Sequence, residues 1–203
     1  MLDAMLRACP PLSKGHKVCD LLAGTGRVTR LFLPTYPRAT YTLVDNSQER
    51  LEIAAAHLED VCAHGGGRIV DTATQIELAN ATVQINEKAK LPLPLDKRAK
   101  DGYDVILGAL ATRVLVQPAA HYALPGQSEE LPVLDRYRAL FKQCWNSLRQ
   151  GGHFIIGDHV GLLSVFEHLK LLEAAGFVEV DCAWRQADFF VVAGRKGLKG
   201  EAA

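Results

Sequence analysis

The chain has 203 residues, 48% of them hydrophobic, which suits one domain with a sizeable buried core. Lys plus Arg and Asp plus Glu number 23 each, so the net charge is zero; with basic pieces no longer than Lys97-Arg98 and Arg195-Lys196, this argues against a phosphate-backbone partner. No apolar run reaches the length of a membrane span and no charged-then-apolar leader opens the chain, so the expectation is a cytoplasmic protein away from membranes.

Strand and helix signals then alternate, the pattern of a parallel sheet covered by helices. Lys17–Leu22 reads as a first strand running into Ala23-Gly24-Thr25-Gly26, followed by a helix from Arg27 that stops before Pro34. Thr40–Val44 is a second strand closed by Asp45. Asn46 reads as the N-cap of the next helix, with Glu49 completing a capping box. That helix aligns Leu51, Ala54, Ala55, Leu58 and Val61, and Gly65-Gly66-Gly67 breaks it. Ala81–Asn86 is taken as the third strand, with about 64–80 an insertion. Tyr103–Leu107 is the fourth. A weakly patterned segment, about 111–131, has the length of a binding loop or lid. Pro132 opens a helix with an inward stripe of Leu134, Tyr137, Leu140, Phe141, Cys144, Trp145 and Leu148, ended by Gly151-Gly152. His153–Gly157 is the fifth strand. Leu162–Ala175 is a helix with Leu162, Val165, Phe166, Leu169 and Leu172 inward. Val178–Trp184 and Phe189–Ala193 form a closing antiparallel pair. The expected fold is therefore α/β: a Rossmann-like, doubly wound, mostly parallel seven-stranded sheet with a C-terminal antiparallel hairpin. One domain spans 1–196, and 197–203 is a tail. Cys9, Cys19, Cys62, Cys144 and Cys182 are scattered, which fits buried thiols rather than a disulfide framework or a metal site.

The sharpest feature is Asp20-Leu21-Leu22-Ala23-Gly24-Thr25-Gly26. A strand feeding a glycine turn and a helix brings backbone N–H groups up to a ligand, and the missing Cβ atoms let that ligand lie near the main chain. Asp45, at the end of the next strand, is placed to accept from both ribose hydroxyls of a nucleoside. A dinucleotide and S-adenosylmethionine both use such a turn. The dinucleotide pattern needs a third glycine where this chain has Thr29. Asp20 suits a cationic methionine end better than a pyrophosphate. The methyl donor is therefore preferred, with an NAD(P)-dependent oxidoreductase as the alternative.

The segment resembles the first motif of class I S-adenosylmethionine-dependent methyltransferases, D-L-G-C-G-T-G, and the similarity runs along nearly the whole chain. Asp45-Asn46-Ser47 resembles the family's second-strand acid and helix start. Asn86–Pro94 (NEKAKLPLP) resembles its third motif, which makes Glu87 the adenine contact and Lys88 the N–H donor; Asp71 in RIVDTA competes for that place. Leu148–Phe154 (LRQGGHF) resembles the turn before the fifth strand, and Leu171–Phe177 the family's ending. The resemblance implies S-adenosylmethionine as cofactor and S-adenosylhomocysteine as product. It assigns Asp20, Ala23, Gly24, Thr25, Gly26, Asp45, Asn46, Glu87, Lys88 and Gly108 to that cofactor, with no metal. Leu22 departs from the pattern, standing where the family has its first glycine, and the front end before the first strand is shorter than usual.

Methyl transfer needs alignment above all, and a base only where the acceptor still holds its proton. Residues beyond the fourth and fifth strands are candidates: His159 first, then His121 and Tyr122, with Arg113 and Asp158 nearby. Trp184 and Phe189 read as hairpin packing. After the fourth strand comes Gly108-Ala109-Leu110-Ala111, not the Asn/Asp-Pro-Pro-Tyr run of enzymes acting on bases or amides. A small-molecule acceptor is the expectation, with room for a homodimer. An inactive, methyltransferase-like partner subunit is a further alternative.

Overall fold

Lys17–Leu21 (β1) and Thr40–Asp45 (β2) pair in parallel, Lys17 opposite Thr40 and Leu21 opposite Val44, and the other strands add on either side of them. The computed structural model describes residues 1–64, 76–88, 90–91, 102–117 and 132–201. Helix Leu2–Ala8 (α1) precedes β1, Arg27–Phe32 (α2) follows it, and Gln48–His64 (α3) follows β2. Then come Ile76–Asn80 (β3), Tyr103–Ala109 (β4), Thr112–Val116 (α4) and Val133–Ser147 (α5). Leu148–His159 (β5), Val165–Ala175 (α6), Phe177–Gln186 (β6) and Phe189–Lys196 (β7) complete the chain.

The seven strands run β3-β2-β1-β4-β5-β7-β6. All neighbours are parallel up to β5, and β7 is antiparallel to both β5 and β6. This is the doubly wound sheet with a C-terminal antiparallel hairpin that the sequence predicts. Strand order reverses between β1 and β4, so their carboxyl ends open the crevice where such sheets bind ligands.

Period-two alternation sorts the central strands between two apolar layers. Val18, Leu43, Val105, Leu107 and Ile155 pack with α1, α2 and α3. Cys19, Leu21, Val44, Ile106, Phe154 and Ile156 pack with α5 and α6. The same parity puts Asp20 and Asp45 on the α2–α3 face and Asp158 on the α4–α6 face. All five cysteines are free thiols.

Five local expectations change, one of them at the start of α5, where Leu134 is exposed and the inward stripe begins at Tyr137. The third strand is Ile76–Asn80, paired in parallel with β2 (Asp45 opposite Asn80). The expected insertion over 64–80 therefore ends in a ladder strand, and residues 65–75 lie outside the described set. Ala81–Asn86 is extended but makes no ladder; Ala81, Val83 and Ile85 pack sideways on the α5 layer instead. The cap of α3 is Ser47, whose Oγ accepts from Arg50 N at 3.3 Å. Asn46 instead takes the Arg50 guanidinium at 2.9 Å. Helix α5 ends at Ser147 without a glycine, because the buried Lys196 ammonium donates to the carbonyls of Trp145 and Leu148 at 2.9 and 2.7 Å. Gly151-Gly152 lies inside β5. On α6 the inward stripe is Val165, His168, Leu171, Leu172 and Ala175, while Phe166 is 65% exposed and Leu162 is exposed too. Ser164 fixes that phase: it caps α6 in a reciprocal box with Glu167.

Candidate functional site

The chain leaves β1 through Leu22, whose φ of 52° is left-handed, a conformation that costs a residue with a Cβ roughly 1–2 kcal/mol. Leu110, directly after β4, has φ 55°. The two strands that flank the crevice thus both end in a strained leucine, and such outliers gather at functional clefts. Beyond Leu22 the turn is knit by main chain. Ala23 N donates to Val44 O at 3.0 Å, and Gly26 N to Ala23 O at 2.9 Å. His57 of α3 donates from Nδ1 to the Thr25 carbonyl at 3.2 Å, bracing the turn from the side.

The glycines differ in what they allow. A Cβ on Gly26 would stand 3.0 Å from the Ala54 Cβ, so Gly26 lets α3 approach. A Cβ on Gly24 would meet no heavy atom within 4 Å. Space beside bare main chain therefore lies at Gly24, and a nucleoside fits such a cradle.

Asp45 is 1% exposed and binds this turn directly. Its Oδ2 accepts from Gly24 N at 2.9 Å, and its Oδ1 accepts from Ser47 N at 2.9 Å and Arg50 Nη2 at 2.8 Å. Asp20, also 1% exposed, turns to α2: its Oδ2 accepts from Thr29 N at 3.2 Å and from the Thr29 hydroxyl at 2.7 Å. Burial is the main force on Asp20 and pushes its carboxyl up to about 6; the Thr29 bonds oppose the rise and the Asp45 charge adds to it.

On the β4–β5 side the buried carboxylate is Asp158. The Thr112 hydroxyl (2.6 Å) and Arg113 N (3.3 Å) donate to its Oδ2, and His159 N (2.8 Å) to its Oδ1. Behind it His168 sits among the rings of Tyr137, Phe141 and Phe190. Burial holds His168 below the ordinary imidazole value. Its Nδ1 reaches Ser164 O at 2.9 Å, while Nε2 is buried without a hydrogen-bond partner among the described residues. His159 ends β5. Its Nδ1 lies 2.8 Å from Val160 O, and a carbonyl only accepts, so Nδ1 is the donor there; in the neutral ring this leaves Nε2 as the acceptor. The Phe189 ring, opposite His159 in the β5–β7 ladder, stands edge-on to it at 6.2 Å.

The structure brings Asp20, Ala23, Gly24, Thr25, Gly26, Asp45 and Asn46 to one end of β1 and β2. Gly108 is buried in β4, where an added Cβ would make only ordinary contacts, 3.7 Å from Phe154 and 3.8 Å from Thr112. Glu87 and Lys88 are not brought to that end. Glu87 O accepts from Asn146 in the last turn of α5, and Lys88 N donates to Asn86 Oδ1. The end of α5 leads into Leu148, which opens β5 opposite Tyr103 at the start of β4, so this turn lies at the amino-terminal end of the strands, away from the crevice. Asp71, His121 and Tyr122 lie outside the described residues. Sequence reasoning did not single out Arg50, His57, Thr112 or His168. For Arg50 a signal existed, since it stands three residues after the capping Ser47. Among the described residues no group of three or more His, Cys, Asp or Glu could hold a metal ion, and no helix is long and apolar enough to cross a membrane.

No family model matches the chain. Over 47 residues, 23% of its length, it is 45% identical to demethylmenaquinone methyltransferase of Chlamydia pneumoniae, covering 20% of that protein. Similar solved structures span nearly all of it. One is described as a possible exported protein from Bordetella parapertussis, with TM-score 0.68, 16% identity, and 97% of this chain and 67% of that one covered. Another is an O-methyltransferase family 2 protein from Planctomyces limnophilus in complex with apigenin, with TM-score 0.65, 16% identity, and 96% and 57% covered. A third is the S-adenosylmethionine-dependent methyltransferase SibL, with TM-score 0.60, 14% identity, and 97% and 54% covered. The chain thus spans a fifth of the curated relative and about half to two thirds of these structures. Its fold is that of the class I S-adenosylmethionine-dependent methyltransferases, as the motif resemblance implies.

Proposed function

We propose that this chain binds S-adenosylmethionine across the β1–β2 end of the crevice and passes its methyl group to a small, largely apolar acceptor over β4 and β5. One observation carries the reading: the acid ending β2, Asp45, is bonded to Gly24 N–H of the neighbouring turn, beside open space at the Gly24 Cα. Bound there, the cofactor supplies a methyl group already activated on a positive sulfur. Asp45 holds the ribose. Gly24 and Thr25 give main-chain contact. Asn46 covers the adenine, and Asn80, opposite Asp45 in register, is better placed than Glu87 to meet its edge.

Asp20 supports the turn through Thr29. That bond also favours the methyl donor over a dinucleotide, because the position wanting a third glycine carries a fully buried threonine committed to a buried acid. His159 is the acceptor-side base, its Nε2 lone pair free to take a proton from a hydroxyl. Exposed Leu110, Val114, Leu162 and Phe189 stand on segments that meet at this end of β4 and β5, and they suit an apolar acceptor body. A cytoplasmic setting belongs to the same proposal. The test is thermal unfolding with S-adenosylhomocysteine and, separately, with NADH and NADPH. A rise only with the first supports the reading, by mass action on the folded state. A rise only with a reduced nicotinamide would replace it with the oxidoreductase.

A further inference from the structure

The ribose acid is already crowded. An ionised carboxylate offers about four acceptor positions. At Asp45 three are used, by Gly24 N, Ser47 N and the Arg50 guanidinium. A ribose diol brings two O–H donors, so one occupant must leave before both can bind. Gly24 N belongs to the knit turn, and Ser47 N to the residue that caps α3. Both are main-chain groups fixed by their surroundings. Arg50 alone is a side chain. It is 49% exposed on a flexible stem, and the same nitrogen that reaches Asp45 also reaches Asn46 Oδ1 at 2.9 Å.

We propose that Arg50 is a displaceable occupant of the ribose subsite, competing with the donor's hydroxyls for Asp45 and thereby setting the affinity for donor and product. The proposal rests on Asp45 being the ribose acid. Binding swings the guanidinium off Oδ1 into solvent, and release lets it return. Arg50 therefore loosens both ligands and speeds departure of the product. Because an exposed cation is screened by salt and a fixed main-chain bond is not, ionic strength weakens the competitor more than the ribose contact.

The experiment is calorimetry with S-adenosylhomocysteine, which carries no sulfonium charge, at low and high salt. Wild type is compared with Arg50→Met and Arg50→Gln. The expected result is a Kd on the order of two- to fivefold lower in both variants at low salt, the scale of a half-exposed ion pair. Wild-type binding should tighten with salt, while both variants stay flat. Equal or weaker binding by variants with wild-type melting curves overturns the proposal and leaves the ribose assignment standing. Failure of wild type and variants alike to bind overturns both.

Discussion

Two carboxylates flank the crevice at the same depth, each 1% exposed and each holding three donors, yet they are built for different ends. Asp45 has two main-chain partners and one exposed arginine. Asp158 has two main-chain partners and one fully buried hydroxyl, Thr112, backed by Tyr137 and the His168 ring cluster. The third partner makes the difference. An exposed side chain can yield its place to a ligand, whereas a buried one cannot move without repacking the core. The first acid can therefore bind, and the second can only hold the segment that presents His159 and Arg113.

That contrast can be broken by mutation. Asp45→Ala should have the largest effect, raising the Kd for S-adenosylhomocysteine on the order of 100-fold or more, because a charged acceptor is lost and the Gly24 and Ser47 N–H groups that shape the turn lose their partner. Calorimetry reads it, and an unchanged Kd would remove Asp45 from the site. Asp158→Ala should do the reverse. We expect a loss of about 2–4 kcal/mol in urea unfolding, from uncovering the buried Thr112 hydroxyl and the half-buried N–H groups of Arg113 and His159, with near-normal affinity in the protein that remains folded.

Acidity should sharpen the same contrast. Asp20 has its folded value raised to about 6 from 3.8, so its contribution to stability is full below pH 4 and lost as pH rises through about 6, by up to ~3 kcal/mol. His168 is depressed from 6.5, so its contribution is present above that value and is lost as pH falls through the lower folded one. Asp20→Asn should flatten the first limb and His168→Gln the second, each read as unfolding free energy between pH 4 and 8. The smallest effect belongs to Leu22→Gly. Relief of the left-handed strain, less the entropy of glycine, should raise stability by no more than about 1 kcal/mol, measured by thermal melting.

Strands buried on both faces were easy to read. VCDL, YTLV and YDVIL are short apolar runs with turn residues beside them, and that pattern has few other uses. Strand β3 was harder. Ile76–Asn80 lies at the sheet's edge and is only half-buried, so IELAN carries little apolar signal, whereas ATVQIN next to it alternates well. Alternation reports an extended chain, not its partner, and those side chains pack on helices instead of joining a ladder. The site depends on the same distinction: Glu87 follows the stretch that joins no ladder, while Asn80 ends the strand that pairs with Asp45. The glycine turn and Asp45 were legible because their chemistry is local. His168 was not, because its role depends on what the fold sets against it, and for Arg50 the cap spacing marks a place near the turn but not the carboxylate it meets.

Strand β7 enters the sheet backwards, and this bears on how such a scaffold could diversify. Its first residue, Phe189, therefore faces His159, and Val160 N donates to Asp188 O at 2.6 Å, tying the hairpin bend to the end of β5. Ala187 and Asp188 are a two-residue bend between long antiparallel strands, a place where chains accept new residues readily. Lengthening or recolouring that bend would reshape the mouth over β5 while leaving β1, β2 and their acids untouched. Selection, or an engineer, could thus retune what enters on one side without relearning how to hold what sits on the other.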